Sequence, residues 1–341
     1  MRGATIRDVA RAADVSVATV SRTLNGLATV AVPTRDRVLR VAGELDYVPH
    51  SGARALSTRR TDTIGVLLPD LHGEFFSELI RGIDLSARAR GLHLLLSSSH
   101  GDPAEAAAAL RAMRSRVDSV IVMMPSASEE HAVHAARGAG PMIFLGDNGG
   151  SGDHPSFVID NYGGAFAITE HLAQAGRRRI VFVTGPAANS EARERQRGYR
   201  SAIRTAELPE IIVAGDFTEQ AGRAAAQRLL ADGLPDAVFC ANDMMAIGCL
   251  EALREAGIAV PSDIALAGFD DIPIARYVSP PLTTAAVPIA EIGRRALDCC
   301  VDAIAGREPG GRRLFKPKLV IRASSVMPTQ TTSIKRGHEH G

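Results

Sequence analysis

From Thr63 onward, short aliphatic runs alternate with amphipathic stretches of helical period, and this alternation restricts the possible folds more than any other feature of the chain. The runs TIGVLLP (63–69), LHLLLSS (92–98), VDSVIVMMP (117–125), PMIFLG (141–146), SFVID (156–160), RIVFVTGP (179–186), IIVAGD (211–216), DAVFCAND (236–243) and IALAGFDD (264–271) predict strands. Between them, 74–90, 103–115, 163–175, 193–206, 218–232 and 243–256 predict helices. Nearly continuous apolar strands joined by helical crossovers require parallel sheets covered on both faces. There are too many such units for one comfortable sheet, so the expectation is two lobes, each a doubly wound α/β sheet. Polar pairs stand at the strand ends: Pro69-Asp70, Asp160-Asn161, Asn242-Asp243 and Asp270-Asp271. Ligands of open α/β sheets bind beyond the carboxyl ends of the strands. A polar cleft between the lobes is therefore expected.

The first sixty residues follow a different rule. Ile6, Val9, Ala10 and Ala13 share one helical face. Asp14-Val15-Ser16 then makes a corner, Asp14 being a residue that tolerates a left-handed backbone. Ser16 is a good N-cap for a helix from Val17 to Leu24, which Asn25-Gly26 ends. Val20 and Leu24 point inward with Val15, and Val17, Ala18, Ser21 and Arg22 lie toward the other side. A third helix runs from about Pro33 to Leu45, with Val38, Leu39, Val41, Ala42 and Leu45 as its expected core face. Helix, three-residue turn, helix is the geometry in which a second helix enters the DNA major groove. Many small helical bundles share this pattern.

Charge separates the two parts. Residues 1–60 carry ten Arg and no Lys against five acids, while the other 281 residues carry 29 basic and 33 acidic groups. A basic unit on a mildly acidic body suggests a polyanionic partner for the first part alone. No run of 18 apolar residues exists, so no transmembrane helix is expected. Residues 1–25 lack an apolar core and are interrupted by Asp8, Arg11 and Asp14, so no signal peptide is read and a cytoplasmic location is expected. Cys240, Cys249 and the adjacent Cys299-Cys300 show no metal-ligand spacing and read as reduced, buried small residues. No metal or cofactor is expected.

The residues themselves carry a resemblance. TIRDVARAADVSVATVSRTLNG, PTRDRVLRVAGELDYVPH and ARALSTRRTDTIGV closely resemble the N-terminus of the LacI/GalR family of transcriptional regulators. LLPDLHGEFFSELIRGI, ARERQRGYRSAI, VFCANDMMAIGCLEALREAGIAVPSDIALAGFDDIPIARYVSPPLTT and LVIRASS resemble the family's effector domain in order and spacing, so the likeness spans roughly residues 4–325. It implies a helix-turn-helix DNA-binding head (1–46), a hinge helix and linker (47–60), a two-lobed core of periplasmic-binding-protein type I (61–326) and a tail (327–341). In the core, the N-lobe is expected at about 61–160 and 290–319 and the C-lobe at about 161–289 and 320–326. PHSGARALST at 49–58 matches the hinge, whose leucine, here Leu56, wedges into the minor groove at the operator dyad. A short segment with Gly52 inside it is not expected to be helical alone.

The family's base-reading positions match Val17 and Ala18, which can touch only a thymine methyl or exclude other bases. Hydrogen-bonded readout is then expected from Arg22, with Ser16 and Ser21 nearer phosphates. Thr5, Asn25 and Thr34 are expected as phosphate contacts or caps, and Thr19 and Ala53 complete the DNA-facing set. Two positions depart from the family pattern: Asp14 stands where glycine is usual, and Ala31 where serine precedes the third helix. For the effector, the resemblance carries over Asp70, Phe75, Phe76, Asp160 with Asn161, Arg195, Asn242 and Asp270. Asp147 follows Gly146, which stands where the family usually has aspartate, in the Gly-rich loop 147–155. A carboxylate, an amide and a forked guanidinium converging on a small ligand suit polyol recognition. A sugar or sugar derivative is the expected effector, a nucleoside or purine the alternative.

Catalytic patterns are absent. His72, His93, His100, His131, His134 and His171 are scattered, no HExxH or GxSxG occurs, and Gly185-Pro186 does not begin a GxGxxG. Asp270-Asp271 reads as hydroxyl ligands rather than an acid/base couple, and the chain is not expected to be an enzyme. A pure solute-binding protein would share the core but not the N-terminal helix-turn-helix. A homodimer is expected, because a palindromic operator needs two heads. The tail PTQTTSIKRGHEHG has no heptad for a tetramerising coiled coil.

Overall fold

The structure is a computed structural model that describes residues 4–24, 29–47, 60–124, 134, 136–138, 140–146, 154–307 and 310–326. Asn25, Ala53, Leu56 and Asp147, the expected hinge at 49–58 and the tail fall outside these residues.

Three helices make the head: α1 (Ile6–Ala12), α2 (Val17–Leu24) and α3 (Val32–Glu44). Val9, Ala10, Ala13, Val20, Val38, Val41 and Ala42 are buried between them, with Ile6, Val15, Leu24 and Tyr47 packed around. The corner after α1 forms as its residues suggest. Asp14 adopts φ 51°, and the Val15 amide donates back to the Ala10 carbonyl at 3.0 Å, a closure that relieves the last carbonyls of the helix. Ser16 then caps α2, its Oγ accepting from the Thr19 amide at 3.1 Å. The third helix corrects one expectation. Leu39 is 48% and Leu45 37% exposed. Val38, Val41 and Ala42 already fill the inward stripe; Leu39 lies about 100° around the helix from Val38, and Leu45 is the C-cap, where the chain turns out.

Beyond Thr63 the chain forms two six-stranded sheets. The first contains β1 (Thr63–Leu68), β2 (His93–Ser98), β3 (Ser119–Met123), β4 (Met142–Leu145), β5 (Ser156–Ile159) and β11 (Arg312–Phe315), in the order β11-β5-β4-β3-β1-β2. All its pairings are parallel. The second contains β6 (Ile180–Val183), β7 (Ile211–Val213), β8 (Ala237–Cys240), β9 (Ala265–Asp270), β10 (Thr283–Ala286) and β12 (Lys318–Val320), in the order β12-β10-β9-β8-β6-β7. Only β12 runs antiparallel there, against β10.

The crossover helices are α4 (Glu74–Arg88) and α5 (Pro103–Met113) in the first lobe, then α6 (Asn161–Gln174), α7 (Ser190–Thr205), α8 (Glu219–Asp232) and α9 (Asp243–Glu255) in the second. A last helix, α10 (Ile289–Ile304), returns to the first lobe and packs on α4. That contact is close because it is lined by glycine on both sides. A Cβ on Gly82 would collide with the Ala290 backbone, and one on Gly293 with the Leu79 carbonyl. The chain thus passes between lobes at Asp160-Asn161, between β10 and α10, and between Phe315 and Lys318. The last passage lies slightly before the 319/320 boundary expected from sequence, because Lys318–Val320 is already paired with β10.

Candidate functional site

On the head, Thr5, Ser16, Val17, Ala18 and Arg22 of the expected DNA-facing residues are exposed. Val17, Ala18 and Arg22 are exposed on α2, and Arg22 makes no ion pair among the described residues. Ser16 and Thr19 are joined, their hydroxyls 2.9 Å apart. Ser21 is partly buried. Thr5 is tied to its own helix, its amide and Oγ1 both donating to Asp8 Oδ2, at 3.0 and 2.6 Å. Thr34 sits in the first turn of α3, half-buried. The N-cap of α3 is Ala31, which supplies no side-chain hydrogen bond.

The second candidate site grows from the carboxyl ends of the second sheet. Helix α7 begins there with Asn189 as N-cap, its Oδ1 accepting from the Ala192 amide at 2.9 Å. One turn in, Arg195 is 3% exposed. Its Nε donates to Asn161 Oδ1 at 2.7 Å, its Nη1 to the Ala241 carbonyl at 2.5 Å and its Nη2 to Asp270 Oδ1 at 3.2 Å. The guanidinium lies 3.9 Å from the centre of the Phe269 ring and 5.7 Å from that of Phe217. Asn161, at the first lobe crossing, also donates Nδ2 to the Ile159 carbonyl of β5 at 3.2 Å.

Asp270 ends β9 with φ 109°, and Asp271 follows at φ 55°. Aspartate visits such backbone more readily than most residues, but at a cost. What holds it is Asp243, the fully buried first residue of α9. Its Oδ1 accepts from Thr284 Oγ1 at 2.7 Å and its Oδ2 from the Ile272 amide at 3.0 Å. Burial drives the Asp243 carboxyl well above the ordinary range, with Asp270 adding to the shift. Burial likewise pushes Asp270 up to about 7; Arg195 opposes this and Glu191 reinforces it. Asp271 is not paired with Asp270: it takes a 2.7 Å bond from Arg322 Nη2 instead.

Asn242 caps α9 through Oδ1, 3.0 Å from the Met245 amide, and its Nδ2 donates to the Phe217 carbonyl at 2.9 Å. That bond holds Phe217 at φ 74° with its ring half-buried beside Arg195. Asp160 caps α6, accepting from the Gly163 amide at 2.8 Å. In the first lobe, Asp70 Oδ1 accepts from the amides of Leu71 and His72 at 2.7 and 2.9 Å. Phe75 and Phe76 open α4, half-buried and edge to face at 5.5 Å.

The structure therefore brings Asn161, Arg195 and Asp270 into one hydrogen-bonded group, joins Asn242 to it through Phe217, and leaves Asp70, Phe75, Phe76 and Asp160 engaged locally. Sequence reading missed Glu191, Phe217 and Phe269, and named Asp243 only as the polar neighbour of Asn242 at a strand end. Only Glu191 had a local signal, standing four residues before Arg195 on the same helical face. Two cavities lie elsewhere. One of about 300 Å³ opens at the start of β4 and β5, lined among others by Gly140, Pro141, His154 and Ala303. One of about 250 Å³ lies between α6 and α7 beside Glu170 and Arg178.

Comparison with known proteins follows the same division. Residues 5–50 match the family model described as "Bacterial regulatory proteins, lacI family", and residues 169–325 match that of a "Periplasmic binding protein-like domain". The chain is 35% identical over 328 residues to the HTH-type transcriptional repressor CytR of Escherichia coli K12, covering 94% of this chain and 96% of the relative. It is 32% identical to the ribose operon repressor of Haemophilus influenzae, covering 94% of this chain and 98% of that one. Among solved structures, the lac repressor dimer bound to operator and the anti-inducer ONPF superposes with a TM-score of 0.84 at 27% identity, covering 96% of this chain and all of the other.

Proposed function

The chain belongs to the LacI family of bacterial regulatory proteins, and from that premise we propose that it is an operator-binding transcriptional repressor whose hold on DNA is set by a small hydroxylated effector bound between the lobes at Arg195. The head docks α2 in the major groove of each half of a palindromic operator, with residues 47–60 as the hinge. A homodimer supplies the two heads, and exposed Leu85, Ile274 and Tyr277 offer apolar surface toward a second copy. The reading is one of binding, with no catalytic step, in the cytoplasm.

The observation that carries it is the setting of Arg195. A guanidinium 3% exposed, held by an amide, a carbonyl and a carboxylate, is fixed in orientation before any ligand arrives, which lowers the cost of binding. Its first partner, Asn161, sits where the chain passes between lobes and also holds β5. A ligand that displaces or draws on Arg195 acts through Asn161 on the first lobe. In this reading that is how the effector changes the relation between lobes, and so between heads. The coupling is a linkage, equal in both directions.

A sugar or sugar derivative is the primary assignment. A nucleoside or purine is a second reading, favoured by one observation: the half-buried Phe217 ring beside Arg195 offers a planar face. The test is thermal shift of the purified protein against mono- and disaccharides, sugar acids, sugar phosphates, nucleosides and purines, followed by operator binding with each hit. A ligand at 100 times its Kd adds roughly 2.7 kcal/mol of stability. The reading fails if hits leave operator affinity unchanged.

A further inference from the structure

All strands of the first sheet run parallel, so their amino ends share one edge, opposite the carboxyl ends. The chain enters the core at this edge. Asp118, one residue before β3, accepts from the amides of Thr61 and Asp62 at 2.7 and 2.9 Å and so fixes the end of the linker against it. Arginine gathers along the same edge. In the five positions before each strand, the described residues include Arg60 before β1, Arg88 and Arg90 before β2, Arg114 and Arg116 before β3, Arg137 before β4 and Arg307 before β11, against two acids, Asp62 and Asp118. The parallel strands of the second sheet show the reverse: three arginines, all before β6, against five acids before β7, β8 and β9.

Residues 61–341 hold 33 acids against 29 bases, so the basic edge is a segregation of charge and not the average of an Arg-rich surface. Arg88, Arg90 and Arg307 are paired with acids of α4 and α10. Arg116 and Arg137 are exposed and have no ion pair among the described residues. The linker that ends at this edge begins at a head that is itself basic, with ten Arg against five acids in residues 1–60. Like charge at both ends of a linker is unfavourable unless one polyanion serves both. Duplex DNA is such a polyanion, and it continues past the base pairs that the head covers. A guanidinium fork matches its phosphates.

We infer that the amino edge of the first sheet is a second DNA-contacting surface, where Arg116 and Arg137 grip phosphates of the duplex outside the half-sites read by α2, without regard to sequence. The inference rests on the reading of the chain as an operator-binding protein.

The experiment starts from the site that the full chain selects out of a randomised duplex pool. Anisotropy titrations compare that site on a duplex of about 20 base pairs, enough for two half-sites one helical turn apart, with the same site lengthened by about 15 base pairs of unrelated sequence at each end. Arg116→Gln with Arg137→Gln is run beside a charge-matched control on the second lobe, Arg178→Gln with Arg204→Gln, each checked for a wild-type melting profile. Near physiological salt the wild type should hold the long duplex about ten-fold tighter than the short one, with a salt slope steeper by about 3–4, the ion release expected when two arginines from each protomer of a dimer meet phosphates. The Arg116/Arg137 variant should bind the two duplexes within about two-fold of each other and keep the wild-type affinity for the short one. The control should keep the full wild-type difference. The inference is overturned if the wild type binds both duplexes alike, if the Arg116/Arg137 variant retains the gain, or if the control loses it equally, which would make net charge the cause. An equal loss on short and long duplexes in the Arg116/Arg137 variant would place the edge against the head or the half-sites and overturn the flanking contact while leaving the operator reading intact. A chain that selects no site and binds neither duplex sinks the operator reading and this inference with it.

Discussion

Asp270 Oδ1 lies 3.2 Å from Arg195 Nη2, and the two side chains are 6% and 3% exposed. A buried pair of this kind is a poor source of stability, because desolvation offsets its attraction, but breaking it leaves a charge stranded. Its value here is in fixing the guanidinium plane. Arg195→Lys keeps the charge and loses the fork, so the bonds to Asn161 and the Ala241 carbonyl cannot both be made. We expect Arg195→Lys to lose about 2–4 kcal/mol of stability in urea unfolding, and effector affinity to fall on the order of a hundred-fold by calorimetry. Unchanged affinity would remove Arg195 from the effector site.

The pH dependence has a definite sign. Asp270 titrates near 7 in the folded chain, against about 3.9 for an unfolded aspartate. Between roughly pH 4 and 7 the folded state holds the extra proton, so stability falls as pH rises and levels off above 7. One such group contributes at most about 1.4 kcal/mol per pH unit. Urea midpoints measured at pH 5, 6, 7 and 8 should fall less steeply in Asp270→Asn than in the wild type. Parallel profiles would mean that Asp270 keeps an ordinary pKa.

How much of this site could be read from the sequence depends on how local each feature is. Asp14 in a left-handed corner and Ser16 as a helix cap are contained in a few consecutive residues, and the structure shows them as read. The parallel sheets were legible because buried strands carry continuous aliphatic runs. β10, β11 and β12, with TTAA, RRLF and KLV, carry no such run and were not seen. Arg195, Asn161 and Asp270 entered through family likeness; their contacts join residues 34 and 75 positions apart and leave no periodic trace. Asp271 reads as the twin of Asp270, but its partner Arg322 is 51 residues away, and only the register of the second sheet reveals it.

The head carries two correctable local costs. Asp14 at φ 51° occupies a position that glycine takes more easily, so Asp14→Gly should stabilise the α1–α2 corner by about 0.5–1 kcal/mol. Ala31 caps α3 without a side-chain bond, so Ala31→Ser should add about 1 kcal/mol. Amide hydrogen exchange of the full chain reads both: protection should rise in α1 and α2 for the first and in α3 for the second. A fall in protection for Asp14→Gly would indicate that the aspartate side chain holds the corner.

Base readout isolates a single residue. Val17 and Ala18, exposed at the start of α2, can offer a base only apolar contact. Arg22 is exposed on the same helix without an ion pair among the described residues, so its donors are available for a base edge, guanine O6 and N7 being their usual partners. Thr34 lies on a different helix and can reach only the backbone of the duplex if α2 holds the groove. Arg22→Ala should therefore cost about 1–3 kcal/mol on the preferred operator and little on unrelated DNA, flattening the preference at one base pair in each half-site. Thr34→Ala should weaken all sequences by a similar factor. Selection from a randomised duplex pool, followed by anisotropy titrations on the winning and scrambled sequences, separates the two patterns. If Arg22→Ala selects the same sequence as the wild type with undiminished preference, hydrogen-bonded readout must come from elsewhere in the head.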